Sequence, residues 1–495
     1  MNFKNPGKGY CFRVVKYINT IGKLEVMGLP LLLDQLYLGK NIPRLRTSEL
    51  VGKDLDVNRL SQQYFLEDNK IPRVIKYELG SPPTDWNVIK KRQDLVRILM
   101  ENTESLEELG EAAGMIQDAN HGVGCLKTYA VHETPVETHP SFTYQRAFSI
   151  LSQKLPQKGD YMVVHHALRE LQEKTHLEEV VRDWNAVLDQ GIPAMVSLKR
   201  VQVVGTEEPY KDKPIDVKEL RRSTENKFRG TFDNISQSIA PAMEELYTIL
   251  SFYFSIAKYG VALHKNGTPV VLPTIAEQPG FCDIQKFYNP YLGGLRTINF
   301  DEEGQAPVFG EGVLPHDYPA TAEKVRIALG RNKGAKSTWT VGRGIVQLMA
   351  QMGSPIPAAT ATIGPVPSMG TLFVRQVDIG SGQSLFTKSL DTFGNMLETV
   401  GKGGLAILDD PSEGTDTLNA QKFMDFILAR IHEREIYAAM ATQDKRLHTE
   451  NAFPHAAYYT TTPGSYKIQE LNRGEAPEQK DWQEIARETK LAPYL

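Results

Sequence analysis

The feature that most constrains this chain is a strand, a loop and a helix written in one run, "KVRIALGRNKGAKSTWTVGRGIVQLMAQMG", residues 324–353. The apolar stretch "VRIAL" ends at a glycine, and a helical pattern starts at Lys336-Ser337-Thr338. A phosphate-binding loop needs this context, because the N–H groups from Gly330 to Lys336 and the helix N-terminus then converge on an anion. In that reading Lys336 meets the β- and γ-phosphates and the Ser337 hydroxyl ligates Mg²⁺. Ala335 departs from the pattern. It stands where glycine is expected, and its methyl group disfavours positive φ and crowds the phosphates. Alone, the run is either a nucleotide site or a turn rich in glycine and lysine.

Two later segments bear on that choice. In "GGLAILDDPSEGTDT" (403–417) a buried-strand pattern ends at Asp409, where a carboxylate can hold a metal-bound water beside a phosphate loop. The adjacent Asp410 can orient or deprotonate an attacking water. In "VDIGSGQSLFTKSLDTFGNML" (377–397) the small donors Ser381, Gly382, Gln383 and Ser384 precede a helical pattern of Leu390, Phe393 and Leu397. Small donors at a helix start suit either phosphate binding or ordinary capping.

At 495 residues the chain is too long for one compact core. A net charge of -4 gives no global pull toward nucleic acid, so any such contact needs a local basic face. The stretch from Lys199 to Arg229 has excess basic residues, which suit a solvated helix face or a nucleic-acid surface. Three scattered cysteines form no disulfide framework, and no run of about 18 apolar residues is evident. These features predict a cytoplasmic protein with no membrane span. Helical periodicity dominates 41–265, with Thr84 or Asp85 capping one helix, Pro241 kinking or starting another, and Asn266–Gly267 ending it. After about residue 280, strand-like and helical runs alternate, as in an α/β domain with a largely parallel sheet. The predicted division is an N-terminal segment 1–40, a helical domain 41–265 and an α/β domain 280–495.

These residues resemble the MutS family of DNA mismatch-repair ATPases. The family's GPNMGGKST is similar to Gly330-Arg-Asn-Lys-Gly-Ala-Lys-Ser-Thr338, its SGRSTF to "SGQSLF", its LVLMDEIGRGTST to "LAILDDPSEGTDT" and its LFATHYFEL to "AMATQDKRLH". The closing "DWQEIARETKLAPYL" also resembles the end of that domain, and the helical half resembles the family's core and lever. The mismatch-reading domain with its Phe-x-Glu wedge has no counterpart; Phe65–Leu66–Glu67 imitates it out of place. The resemblance implies a helical core and lever domain followed by an ABC-type P-loop ATPase domain. ATP would be held by Gly330, Asn332, Gly334, Ala335, Lys336, Ser337 and Thr338, and Mg²⁺ by Ser337 and Asp409. Ser381, Gly382 and Ser384 of a second subunit would close on the γ-phosphate, and Asp416 would lie near that subunit. This implies a homodimer, or a heterodimer with a related ATPase, clamping duplex or branched DNA. Leu314 and His316 occupy the place where the family contacts adenine.

Three departures bear on turnover. Asp410 replaces a glutamate, which shortens the side chain of the expected base by about 1.5 Å. Gln443 replaces a histidine, removing a group that titrates near neutrality. Ala335 is the third. ATP binding with slow hydrolysis is the expectation; the alternatives are a pseudo-ATPase scaffold and an ABC-type ATPase acting on RNA or ribosomes.

Overall fold

The computed structural model describes residues 38, 42–62, 64, 73–128, 140–175, 195–196, 201–202, 240–292, 313–330, 335–373, 384–461 and 466–472. Its elements, in chain order, are β1 (Arg46–Thr47), α1 (Val51–Asp54), α2 (Val57–Ser61), α3 (Arg73–Gly80), α4 (Trp86–Met100), α5 (Leu106–Thr128), α6 (Pro140–Lys154) and α7 (Tyr161–Thr175). A two-residue ribbon, β2 (Met195–Val196) with β3 (Val201–Gln202), precedes the long α8 (Ala240–Lys265). The remainder alternates: β4 (Thr274–Ile275), β5 (Cys282–Phe287), β6 (His316–Tyr318), β7 (Val325–Leu329), α9 (Lys336–Met352), β8 (Thr360–Ile363), β9 (Ser368–Phe373) and α10 (Leu385–Thr399). The last are β10 (Leu405–Asp409), α11 (Thr417–Glu433), β11 (Tyr437–Thr442), α12 (Arg446–Thr449), β12 (Ala456–Thr461) and β13 (Ile468–Glu470).

The chain forms two compact units. The first, which includes Ile98–Phe254, is helical in its described part apart from the β2–β3 ribbon. Leu109, Ala112, Ala113, Ile116 and Ala119 recur at helical spacing on α5 and are buried. Lys154 pairs with Glu108 at 2.7 Å, and the Tyr144 hydroxyl donates to Asn120 Oδ1. His165, within a His–His pair, contacts the Leu155 carbonyl through Nε2 at 3.2 Å.

The second unit holds Ile42–Phe65, Asn69–Arg97 and Ser255–Leu495. This differs from the predicted helical domain 41–265. Polar contacts explain the difference: Gln93 Nε2 donates to the Pro273 carbonyl at 2.8 Å, Gln351 Nε2 to the Pro83 carbonyl at 2.8 Å, and the Tyr64 and Ser354 hydroxyls share a bond at 2.8 Å. Buried Glu78 binds Arg92 at 2.8 Å as well as Arg44. Pairings hundreds of residues apart leave no local periodicity to read.

Seven strands form the main sheet in the order β1-β9-β10-β11-β7-β12-β13, parallel except for β13. The predicted parallel α/β arrangement is therefore present. Val325, Ile327 and Leu329 of β7 join the cluster containing Phe393 and Met396 of α10 and Phe423, Met424 and Ile427 of α11. Removing one such side chain from the core costs about 2–5 kcal/mol. Leu397 packs against this cluster, whereas Leu390, on the same helical period, is exposed. A smaller sheet, β4-β8-β5-β6, completes the unit. Between these elements α9 is almost wholly buried, with Trp339 stacked on Tyr318 at 5.1 Å.

Local signals hold at several ends. Asp85 accepts the Asn87 N–H before α4, Pro241 lies in the first turn of α8, and Gly267 at φ 73° closes α8. Met243–Lys265 of α8 is long and apolar enough to cross a membrane, contrary to the expectation that no such run exists. Most of its apolar window is buried inside the protein, as in a core helix.

Candidate functional site

Parallel pairing brings three strand ends together. Asp409 of β10 sits beside Ala441 of β11, and Thr442 of β11 sits beside Leu329 of β7. The loop that follows β7, the acidic pair after β10 and the segment after β11 therefore open at one edge, where a parallel sheet collects ligands.

At the loop, Gly330 has φ 138° and Ala335 has φ 62°, ψ 5°. The second value lies in the left-handed region that favours glycine. The expected conflict at Ala335 is thus real: the backbone takes the glycine conformation and the methyl group tolerates it, at a cost of about 1 kcal/mol. Ala335 occupies the N-cap of α9 and offers no side-chain acceptor. The first-turn N–H groups are not capped from that position, as an anion site requires.

Lys336 opens α9 and is 4% exposed. Burial pulls its ammonium down from the usual lysine value, while Asp410 and Asp409 oppose that shift. The Ser337 hydroxyl donates to Asp409 Oδ1 at 2.7 Å. Burial raises the Asp409 carboxyl, against the Ser337 hydrogen bond and Lys336. Burial also raises Asp410, to about 6; Lys336 and a hydrogen bond from Gln443 oppose the rise, whereas Asp409 and Glu413 add to it. Asp410 adopts φ 44°, which a short polar side chain tolerates better than most, and its N–H bonds the Ala441 carbonyl at 2.9 Å. A serine oxygen and a half-buried carboxylate at 2.7 Å are the hard oxygen donors that Mg²⁺ takes, so this pair fits that ion.

Of the predicted residues, Lys336, Ser337, Asp409, Asp410 and Gln443 come together. Thr338 lies in the first turn of α9, with its carbonyl bonded by Asn289 Nδ2 at 3.1 Å. Asn332, Gly334, Ser381, Gly382 and Gln383 lie outside the described residues. Ser384 is the N-cap of α10: its hydroxyl accepts the Thr387 N–H at 3.0 Å. Asp416 caps α11 in the same way, accepting from Asn419 at 3.0 Å, and these bonds hold its carboxyl below the usual range. His316 is buried with Nδ1 unbonded among the described residues, and burial pushes its imidazole down to about 4 against Asp317. Leu314, the neighbouring candidate, is exposed. Phe65–Leu66–Glu67, most of the basic stretch 199–229 and the closing segment 481–495 also lie outside the described residues.

Sequence reasoning missed two residues near this site. Glu413 acts electrostatically on both aspartates, and its N–H bonds the Asp410 carbonyl at 3.1 Å. Its turn spacing from Asp410 was the available signal. Asn289, separated by 49 residues from Thr338, left none.

Residues 326–457 match the family model described as MutS domain V. The chain is 33% identical over 162 residues to the DNA mismatch repair protein MutS of Lachnoclostridium phytofermentans, covering 31% of this chain and 17% of that one. To the MutS of Ruminiclostridium cellulolyticum it is 34% identical over 171 residues, covering 33% and 19%. To that of Salinibacter ruber it is 30% identical over 189 residues, covering 37% and 20%. The alignments thus span about a fifth or less of the relatives' own lengths.

Proposed function

From the premise that this is a MutS-family chain, matched through domain V, we propose a MutS-like ATPase that binds ATP–Mg²⁺ and hydrolyses it slowly. The observation that carries this reading is the Ser337–Asp409 bond at 2.7 Å beside buried Lys336. Residues 72 positions apart meet there only because β7, β11 and β10 are parallel neighbours.

Lys336 supplies the fixed charge for the β- and γ-phosphates, and the α9 N-terminus supplies backbone donors. Gly330, Asn332, Gly334, Ala335 and Thr338 complete the loop in this assignment. Ser337 and Asp409 hold Mg²⁺, which when bound supplies charge neutralisation at the phosphates. Asp410 takes the proton of the attacking water, and Gln443 orients its carboxyl. The base is one methylene shorter than glutamate, and misplacement near 1 Å costs about a hundredfold in rate, which supports slow turnover.

The wider assignment is a cytoplasmic homodimer, or a heterodimer with a related ATPase, in which Ser381, Gly382 and Ser384 of a second subunit close on the γ-phosphate. ATP then sets the grip on duplex or branched DNA. The test is ATP-dependent binding to homoduplex, mismatched and branched DNA and to RNA, side by side at stated salt. Branched or duplex DNA retained only with ATP supports the assignment. No ATP–Mg²⁺ binding by the wild-type protein would sink it.

A further inference from the structure

The first turn of α9 is held from outside the strand edge that presents the acidic residues. Asn289 is 2% exposed and follows β5. Its Nδ2 donates to the Thr338 carbonyl at 3.1 Å, while its Oδ1 accepts the Tyr291 N–H at 3.0 Å. With both ends bonded, the amide plane is fixed.

Tyr291 is held in turn by the turn between α1 and α2. Its hydroxyl bonds the Leu55 carbonyl and lies 3.0 Å from the Asp56 carbonyl. Arg59 Nη2 donates to the Tyr291 carbonyl at 2.9 Å, and the guanidinium lies over the Tyr291 ring at 5.1 Å. Asp56 takes φ 41° to form this turn and accepts the Arg59 N–H at 3.2 Å. The same α1–α2 turn touches α9 directly. A Cβ added at Gly344 would lie 2.9 Å from Leu55 Cδ1, and one at Gly342 would lie 2.6 Å from the Tyr318 hydroxyl. Close approach therefore fixes α9 one to two turns beyond Thr338.

We propose that Asn289 is a positioning residue for nucleotide binding, and that Tyr291 relays to it the placement of the α1–α2 turn. The inference rests on the nucleotide reading of the Lys336 site. The N–H groups that meet phosphate belong to the turn whose carbonyl Asn289 holds, so a tilt of that turn misdirects them together. Among the described residues neither Tyr291 nor Arg59 hydrogen-bonds Asp409 or Asp410; they act on the site through Asn289 and α9. Residues 51–61, distant in sequence from the loop, thereby belong to the phosphate site in function.

The test uses the full chain with a fluorescent ATP analogue and Mg²⁺, alongside thermal unfolding without nucleotide. Asn289→Asp keeps the acceptor for Tyr291 and removes the donor to Thr338. Tyr291→Phe keeps the ring beneath Arg59 and removes both hydroxyl bonds. The expected loss of affinity is about tenfold for N289D and about threefold for Y291F. The double variant is expected to be no weaker than N289D alone, because the relay is already cut. An effect confined to the unfolding temperature, with wild-type affinity, would overturn the proposal, as would strictly multiplicative losses. Wild-type binding abolished by Lys336→Ala yet untouched in N289D would overturn this inference alone. Wild-type protein that binds no analogue would overturn the nucleotide reading with it.

Discussion

Two helix starts in this chain carry small polar residues, and they solve the same problem in opposite ways. At α10, Ser384 sits in extended conformation with its hydroxyl on the Thr387 N–H, so the helix caps itself. At α9, Ala335 sits in the left-handed region with no acceptor, and the next residue is a buried lysine. The self-capped start is complete within its own chain. The other has no side-chain cap at Ala335 and sets a desolvated ammonium against two raised carboxylates, an arrangement that suits the proposed anion and its metal. Under the proposed nucleotide reading, what sets the α9 start apart is less the donors it contains than the side-chain acceptor that Ala335 lacks.

The comparison breaks first at Lys336. Lys336→Ala is expected to lower ATP affinity about a hundredfold, measured by titration with a fluorescent analogue. An unchanged affinity would make α9 as ordinary as α10. Next, Asp410→Asn is expected to cut turnover about a hundredfold or more in single-turnover phosphate release, while affinity stays within a few fold. Wild-type turnover should fall as pH drops through about 6, where Asp410 gains its proton, and a profile flat from 5 to 8 would remove it as the base.

The stability linkage has the opposite sense. Because the folded-state value is raised, the folded chain binds more protons between the ordinary carboxylate value and about 6. The Asp410 contribution to stability therefore declines as pH rises through that window, and D410N should flatten it.

Smaller effects separate the two helix starts themselves. Ser384→Ala should lower the unfolding free energy by about 1 kcal/mol, read as a shift in denaturant midpoint. A shift near zero would show that the α10 cap is not formed. Ala335→Gly should raise stability by about 0.5–1 kcal/mol through relief of the left-handed backbone, partly offset by a freer unfolded chain. A destabilised glycine variant would mean the alanine is unstrained.

Legibility followed the range of the interaction. The strand before the loop, the strand before Asp409 and the helices after them were readable because each is a run of adjacent residues with one period. The α4 cap at Asp85 and the α8 stop at Gly267 were readable for the same reason. Leu390 shows the limit: its spacing is helical, but whether that side of α10 is covered depends on distant chain. The grouping of 42–65 and 69–97 with the later chain was not readable on the same ground, since Arg92, Gln93 and Tyr64 are tied to Met352, Pro273 and Ser354.

Local sequence was sufficient to specify a loop between strand and helix, a carboxylate pair at a strand end and a residue too bulky for the conformation it must take. Only the tertiary structure decided that these form one site. Strand order is set by which apolar faces pack and which hydrogen-bond edges pair, and that is a property of the whole sheet. The insertion of β11 between β7 and β10 puts Gln443 within reach of Asp410 and Asp409 beside Ser337. The same folding carries the α1–α2 turn to Tyr291 and, through Asn289, to the first turn of α9, a link that no reading of the loop alone contains.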